Sequence, residues 1–292
     1  MAPPQLGAPG AVLMGLAGQA LVGFLAGRLL WVLLRPAFTT AITVRENWRG
    51  REVVTAAGIV VPLAALVVEA GRAVAGAGGA GDAGGLTGVR ALVLLAAVGF
   101  GLLGAVDDLL GHGDARGFRG HVASLLRGRL TTGGMKLVGG AAVALVVVAP
   151  VAGQSIGRLL ADGALVAMAA NLGNLLDRRP GRVIKVAGVT FVALALATGA
   201  AHALGGVAVV VGAALALLLD DLHERLMLGD AGANVLGAVL GLGVVVSCAP
   251  RTRLVVLAVV AALNLSSEVV SFSRVIDAVP PLRFLDRTGR LP

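Results

Sequence analysis

The sequence predicts an all-α, polytopic transmembrane bundle of about nine spans, and three observations predict it. The 292 residues are 57% hydrophobic and only 14% charged, with a mean hydropathy of +0.93, whereas soluble domains carry about 25% charged residues. Several apolar stretches reach the roughly 20 residues that a helix needs to cross a bilayer. Those stretches run continuously apolar instead of alternating, which argues against an outer-membrane barrel. The chain reads as one integral membrane domain over residues 1–292, with its motifs at 45–234 and a short tail at 273–292.

In chain order the candidate spans are residues 11–34, 53–75, 89–106, 134–150, 155–173, 183–200, 203–219, 231–248 and 253–272. The N-terminus, MAPPQLGAPG, lacks a basic region, and the apolar run after it is too long for a signal-peptide core, so it reads as an uncleaved first span. The glycine run at 76–88 has no Gly-Lys-Ser/Thr ending and no strand before it, so it reads as a linker and not a phosphate loop. Glu69 and Arg72 are three apart, and Arg158 and Asp162 four apart, spacings that predict neutralised pairs on one helix face. Asn264 and Glu268 share a face near the inner end of the ninth span. The single cysteine, Cys248, forms no internal disulfide.

Charge sets the expected orientation. A net charge of +8 and a pI near 11.4 would suggest nucleic acid in a soluble protein. Here there is no Tyr, there are only 2 Trp, and no aromatic residues interleave with the basic ones, so no nucleic-acid partner is expected. Most of the 24 Lys and Arg fall in alternate loops: Arg35 to Arg51, Arg116 to Arg129, Arg178 to Lys185, Arg225, and the tail from Arg274 to Arg290. The positive-inside rule makes these cytoplasmic, with the N-terminus outside and the C-terminus inside. The carboxylates follow the same side without having been used to define it: Asp107 and Asp108, Asp177, and Asp220 to Asp230.

Three constellations could carry chemistry. Asp107 and Asp108 end the third span, where the negative end of the helix dipole disfavours carboxylates. Adjacent helical residues point about 100° apart, so one is expected to meet a metal and the other a lysine or a proton. In Asn171-Leu-Gly-Asn174-Leu-Leu-Asp177, two amides and a carboxylate follow one another at intervals of three, expected along one side of a helix end. Arg178, Arg179 and Arg182 then offer bidentate phosphate donors. The bland alternative is inter-helix amide packing with positive-inside arginines. Gly229-Asp230-Ala231-Gly232 opens a new span, and Asp230 could supply a hard oxygen to Mg²⁺ or simply cap the helix.

Together these motifs resemble the polyprenyl-phosphate N-acetylhexosamine-1-phosphate transferases, which include the phospho-N-acetylmuramoyl-pentapeptide transferases. The resemblance covers about residues 45–240: Asp107-Asp108, Lys136 opening the next span, Asn171, Asn174 and Asp177, and Gly229-Asp230-Ala231-Gly232. Asn47-Trp-Arg-Gly50 through Thr55-Ala-Ala-Gly58 is similar to the family's basic loop and its Pro-Thr-x-Gly-Gly turn. The departures are Arg178 and Pro180 in the Asp-Gly-x-Asp-Gly segment, Met227 near the place of an aromatic, no histidine-rich loop and no tenth span.

The resemblance implies a Mg²⁺-dependent enzyme of a bacterial inner membrane with its active face cytoplasmic. It would transfer a sugar-1-phosphate from a UDP-sugar to polyprenyl phosphate, giving polyprenyl-diphosphate-sugar and UMP, in cell-wall glycan biosynthesis such as that of peptidoglycan. It implies catalytic roles for Asp107, Asp108, Lys136 and Asp177. Substrate binding would fall to Thr55, Asn171, Asn174, Arg178 and Arg182, and metal binding to Asp230 with Asp177. A homodimer is compatible with it. The rival expectations are an inactive or substrate-shifted paralogue and a membrane transporter, which would place charges at mid-membrane and show repeat halves.

Overall fold

Long runs of Ala, Val, Leu and Gly can satisfy their peptide groups in lipid only by closing them within a helix, and this chain is helical over nearly all of its apolar length. The computed structural model describes residues 9–38, 40, 42–80, 86, 88–111, 132–199 and 201–291. The basic loop holding Arg116, Arg119, Arg127 and Arg129 lies outside the described residues.

The elements are α1 (Pro9–Leu34), a hairpin of β1 (Val44–Glu46) and β2 (Glu52–Val54), α2 (Val60–Ala77), α3 (Gly88–Leu110), α4 (Thr132–Ala152), α5 (Ile156–Leu176) and α6 (Arg182–Ala197). They continue with α7 (Gly205–Leu215), the short α8 (Leu218–Leu222), α9 (Asp230–Ser247), α10 (Pro250–Ser267), α11 (Phe272–Ala278) and α12 (Pro280–Arg287). Among the described residues seven helices are long and apolar enough to cross a membrane, or eight if α10 and α11 count as one bent span.

Two predicted spans come out shorter than expected. The sixth is α6, 16 residues long. The ninth, expected at 253–272, stops at Ser267, where the chain turns by 96° into α11. The turn falls where Ser266, Ser267 and Glu268 interrupt the apolar run.

The core is built around α7 and α9, each buried on nearly all sides. A helix that is apolar all round belongs inside, and α7, GGVAVVVGAAL, has no polar face to offer. Small residues let its neighbours approach backbone to backbone. A Cβ at Gly23 of α1 would run into the Val209 carbonyl of α7, and one at Gly212 of α7 into Ala20 of α1. Around these two helices stand α1, α2, α3, α4, α5, α6 and α10.

The ion pairs inside the spans come out differently. Glu69 pairs with Arg72 as the spacing predicted, and Arg90 lies 3.6 Å from its other oxygen. Asp162 does not pair with Arg158. It faces inward to α10, where Arg253 Nη1 meets Asp162 Oδ2 at 2.9 Å, while Arg158 sits exposed on the first turn of α5.

The close contact of α3 with α9 is the one that positions the site. A Cβ at Gly104 would run into the Asp230 carbonyl and stand 2.6 Å from Ala231 N. Gly104→Val is therefore expected to destabilise the protein by about 1–3 kcal/mol through overpacking. Thermal unfolding in detergent checks this against Gly71→Ala, whose added carbon meets nothing within 4 Å and which should leave the midpoint unchanged or slightly higher. Equal midpoints in the two variants would refute the close-approach argument.

Candidate active site

Asp107 and Asp108 stand in the last turn of α3, and their placement resolves the dipole problem that the sequence posed. The carboxylate of Asp108 does not face its own helix terminus. It caps α9, with Oδ1 accepting the N–H of Asp230 and Oδ2 that of Ala231, both at 3.0 Å. The unsatisfied donors of a helix N-terminus are the favourable place for a negative charge. Gly229, just before α9, is required twice over. Its φ is +70°, and a Cβ there would stand 2.6 Å from Asp108 Oδ2.

Asp107 points to a different partner. Lys136, in the second turn of α4, lies 3.8 Å from Asp107 Oδ2 and also pairs with Asp230 Oδ2. The lysine thus joins α3, α4 and α9. Asn174 of α5 completes the group. Its amide is best satisfied with the nitrogen donating to Asp230 Oδ1 at 2.7 Å and the oxygen accepting from Lys136 Nζ at 2.7 Å.

Asp177 follows three residues later, at the C-terminus of α5, next to the backbone of Gly229. Its carboxyl is pushed well above the usual carboxylate range, first by burial and then by the charges of Asp221, Asp230 and Asp108. Four segments far apart in sequence therefore bring Asp107, Asp108, Lys136, Asn174, Asp177 and Asp230 to one end of the bundle.

That end is organised by the hairpin. Asn47 Oδ1 accepts the N–H groups of Arg49 at 2.8 Å and Arg51 at 3.0 Å, which closes the β1–β2 turn. These short strands, with three charged residues among six, were expected only as a basic loop. Past β2 the chain lies on the loop before α9. Val54 O accepts from Met227 N at 2.6 Å, and Gly58 N donates to Leu228 O at 2.9 Å. Thr55 is buried in this seam, its N–H on Thr43 O at 2.7 Å, and it braces the loop that presents Asp230. Trp48 at the hairpin tip packs under the Arg179 guanidinium, 3.8 Å from the ring centroid.

Not every expected residue joins. Asn171 and Asn174 differ by three positions, about 60° around the helix, and they diverge. Asn171 Nδ2 donates to Asn264 Oδ1 on α10 at 2.7 Å, the inter-helix packing alternative. Arg182 is engaged elsewhere: Nε and Nη2 hold both oxygens of Asp286 at 2.8 and 3.0 Å, and Nη1 donates to Ser273 at 2.9 Å. That corrects the expectation of a free phosphate donor. Arg178 is exposed at the rim.

The sequence reading also passed over residues that matter here. Asp221 is buried and accepts Gly181 N–H at 2.9 Å, fixing the turn after Asp177. Glu224, also buried and at φ +55°, accepts from Asn47 at 2.9 Å and pairs with Arg49 at 3.1 Å. Their signal was available: Asp220-Asp221 is a second adjacent acid pair closing an apolar run. Asn234 is buried one turn into α9, with neither amide atom partnered.

Among the described residues no three Asp, Glu, His or Cys side chains converge closely enough to hold a metal as they are placed. The donor set nonetheless suits Mg²⁺, which prefers hard oxygen ligands. Asp107, Asp177 and Asp230 carry oxygens of this kind at this end of the bundle. No known family model matches this chain, and no curated protein is similar enough to it to count as a relative.

Proposed function

We propose that this chain transfers a sugar-1-phosphate from a UDP-sugar to polyprenyl phosphate, as a divergent member of the polyprenyl-phosphate N-acetylhexosamine-1-phosphate transferases. The membrane would be a bacterial inner membrane, crossed about nine times, with the N-terminus outside and the site and C-terminus cytoplasmic. The single observation behind this reading is the meeting of Lys136, Asp107, Asp230 and Asn174 from four separate helices. A lysine among carboxylates at the end of a membrane bundle is suited to receive a diphosphate and release its charge partners as it binds.

In the reaction an oxygen of the carrier phosphate attacks the β-phosphorus of the nucleotide sugar. The new P–O bond forms as the bond from the β-phosphorus to the bridging oxygen breaks, and UMP leaves with that oxygen. Such transfer depends mainly on in-line positioning and charge neutralisation. Lys136 would neutralise the diphosphate. Asp107 would orient the carrier phosphate, which is mostly ionised at neutral pH because its second pKa is about 6. Asp108 would act through α9, by holding the backbone that presents Asp230. Asn174 would keep Asp230 and Lys136 in register, and Arg178 at the rim is free to meet the departing nucleotide. Asp230 with Asp177 would hold Mg²⁺, which would add charge neutralisation on the diphosphate.

The test is UMP release by purified protein from UDP-N-acetylhexosamines and a polyprenyl phosphate, with and without Mg²⁺. Metal-dependent release is expected, and Asp230→Ala should lower it by about a thousandfold. Full activity in Asp230→Ala would overturn the metal assignment, and no release from any such substrate would overturn the reaction. One observation favours a substrate-shifted or inactive paralogue instead. Arg182, in the segment expected to meet substrate, is locked to the tail.

A further inference from the structure

The tail is not a simple extension of the last span. At Ser267 the chain turns by 96°, so if α10 crosses the membrane, α11 runs along its surface. α12 follows as a short helix with one buried residue, Asp286. Its large apolar side chains face outward: Phe284 is 72% exposed and Leu285 62%. Val275 of α11 and Val279, between α11 and α12, are exposed as well. Apolar residues exposed on a helix along a bilayer surface, interspersed with arginines, are the signature of an interfacial segment.

The charge pattern names the surface. Arg283 and Arg287 stand one turn apart and, with Pro280, Phe284 and Thr288, line an open recess of about 410 Å³. Arg287 is two-thirds exposed, and its ion pair with Asp277 is a surface one at 3.3 Å. Arg283 only reaches the Asp277 carbonyl, at 3.5 Å. Surface pairs of this kind contribute little, so a phosphate diester can displace Asp277 from Arg287 at small cost. Two guanidinium groups beside exposed Phe284 suit a headgroup phosphate with its acyl chains alongside.

The inner face of the same helix reaches the site. Asp286 holds Arg182. Lys185 donates to the carbonyls of Leu285 at 2.9 Å, Asp286 at 2.7 Å and Thr288 at 3.2 Å, which satisfies the C-terminus of α12. Arg290 donates to Pro180 O at 2.8 Å. Pro180 and Arg182 belong to the turn that follows Asp177 directly.

We propose that α11 and α12 form an interfacial clamp for anionic phospholipid. Phe284 and Leu285 enter the acyl boundary, Arg283 and Arg287 take the headgroup phosphate, and Asp286 transmits that anchorage through Arg182 to the 177–182 turn. This stands apart from the transfer reaction and is tested without it.

The probe is an environment-sensitive dye on Leu285→Cys in a Cys248→Ser background, in nanodiscs of phosphatidylcholine alone or with phosphatidylglycerol. Lipids brominated on their acyl chains should quench the dye, and more strongly when phosphatidylglycerol is present. Arg283→Gln/Arg287→Gln should abolish that increment, each arginine shifting the tail toward the membrane roughly fivefold. Both side chains are exposed, so the variant's unfolding midpoint should match its parent and rule out misfolding. Free inorganic phosphate should not substitute for the lipid. Hydrogen exchange of the amides at 181–184 should slow with phosphatidylglycerol in the parent and not in the double variant. Absence of quenching overturns the interfacial placement. Quenching indifferent to headgroup charge overturns the anionic site, and unresponsive exchange at 181–184 overturns the transmission.

Discussion

Replacing Lys136 with methionine is expected to lower kcat for UMP release by about a hundred- to a thousandfold, the usual effect of removing one preorganised charge partner of a developing oxyanion. The lysine reaches Asp107, Asp230 and the amide of Asn174, so it touches three of the converging elements. Methionine keeps the aliphatic stem and its packing while deleting the charge. Its loss leaves Asp107 and Asp230 facing one another without compensation. Affinity for Mg²⁺ should then hold or rise, because a cation now has the carboxylates to itself. The decisive pattern is a large fall in kcat with no increase in the Mg²⁺ concentration for half-activity. Lys136→Arg should recover only part of the rate, since a planar fork cannot replace a compact ammonium at the same three oxygens. Parent-like kcat in Lys136→Met would remove the lysine from the chemistry. A fall in kcat matched by weaker Mg²⁺ binding would mean that it acts by holding the metal site's shape.

Much of this site was legible in the sequence because it depends on charge in an apolar chain. A carboxylate near the end of an apolar run must be used, and so Asp107, Asp108 and Asp230 stood out with no knowledge of packing. What the spacing could not say was which oxygen met which donor. Asp108 proved to be a cap for a helix 122 positions away, an outcome fixed only by the glycine-mediated approach of α3 to α9. The Asn171, Asn174, Asp177 series was misread for a related reason. Steps of three drift around the helix by about 60° each, enough for neighbouring helices to take separate members. Arg182 shows the limit most clearly. Its partner lies 104 residues later, in what the sequence offered only as a short tail. The Asp162 pairing fails for the same reason. The local spacing offered Arg158, and a tertiary contact supplied Arg253 instead.

Breaking the Arg182–Asp286 pair should be the most destabilising single change at the tail. Both side chains are buried, and removal of one partner of such a pair leaves a charge without compensation. Asp286→Leu leaves the Arg182 guanidinium with only Ser273 and is expected to cost about 3–5 kcal/mol. Arg182→Met should cost less, because Arg290 remains on Asp286 at 2.5 Å. The double variant, Arg182→Met/Asp286→Leu, should be more stable than the sum of its parts implies, since an apolar pair of similar volume carries no desolvation penalty.

Acidity tests the same contact. Burial alone would raise the Asp286 carboxyl, but the guanidinium groups of Arg182 and Arg290 outweigh it and hold it below the usual carboxylate range. A carboxyl with a depressed folded pKa gives its full stabilisation above its unfolded value, about 3.9, and loses it as pH falls through the lower folded value. The parent's unfolding midpoint should therefore drop as pH is lowered below about 4, with a component absent from the double variant. Identical acid profiles in the two proteins would show that the pair contributes nothing to stability. The tail would then be held by contacts that neither substitution removes, those of Lys185, Arg290 and Arg49 with backbone carbonyls.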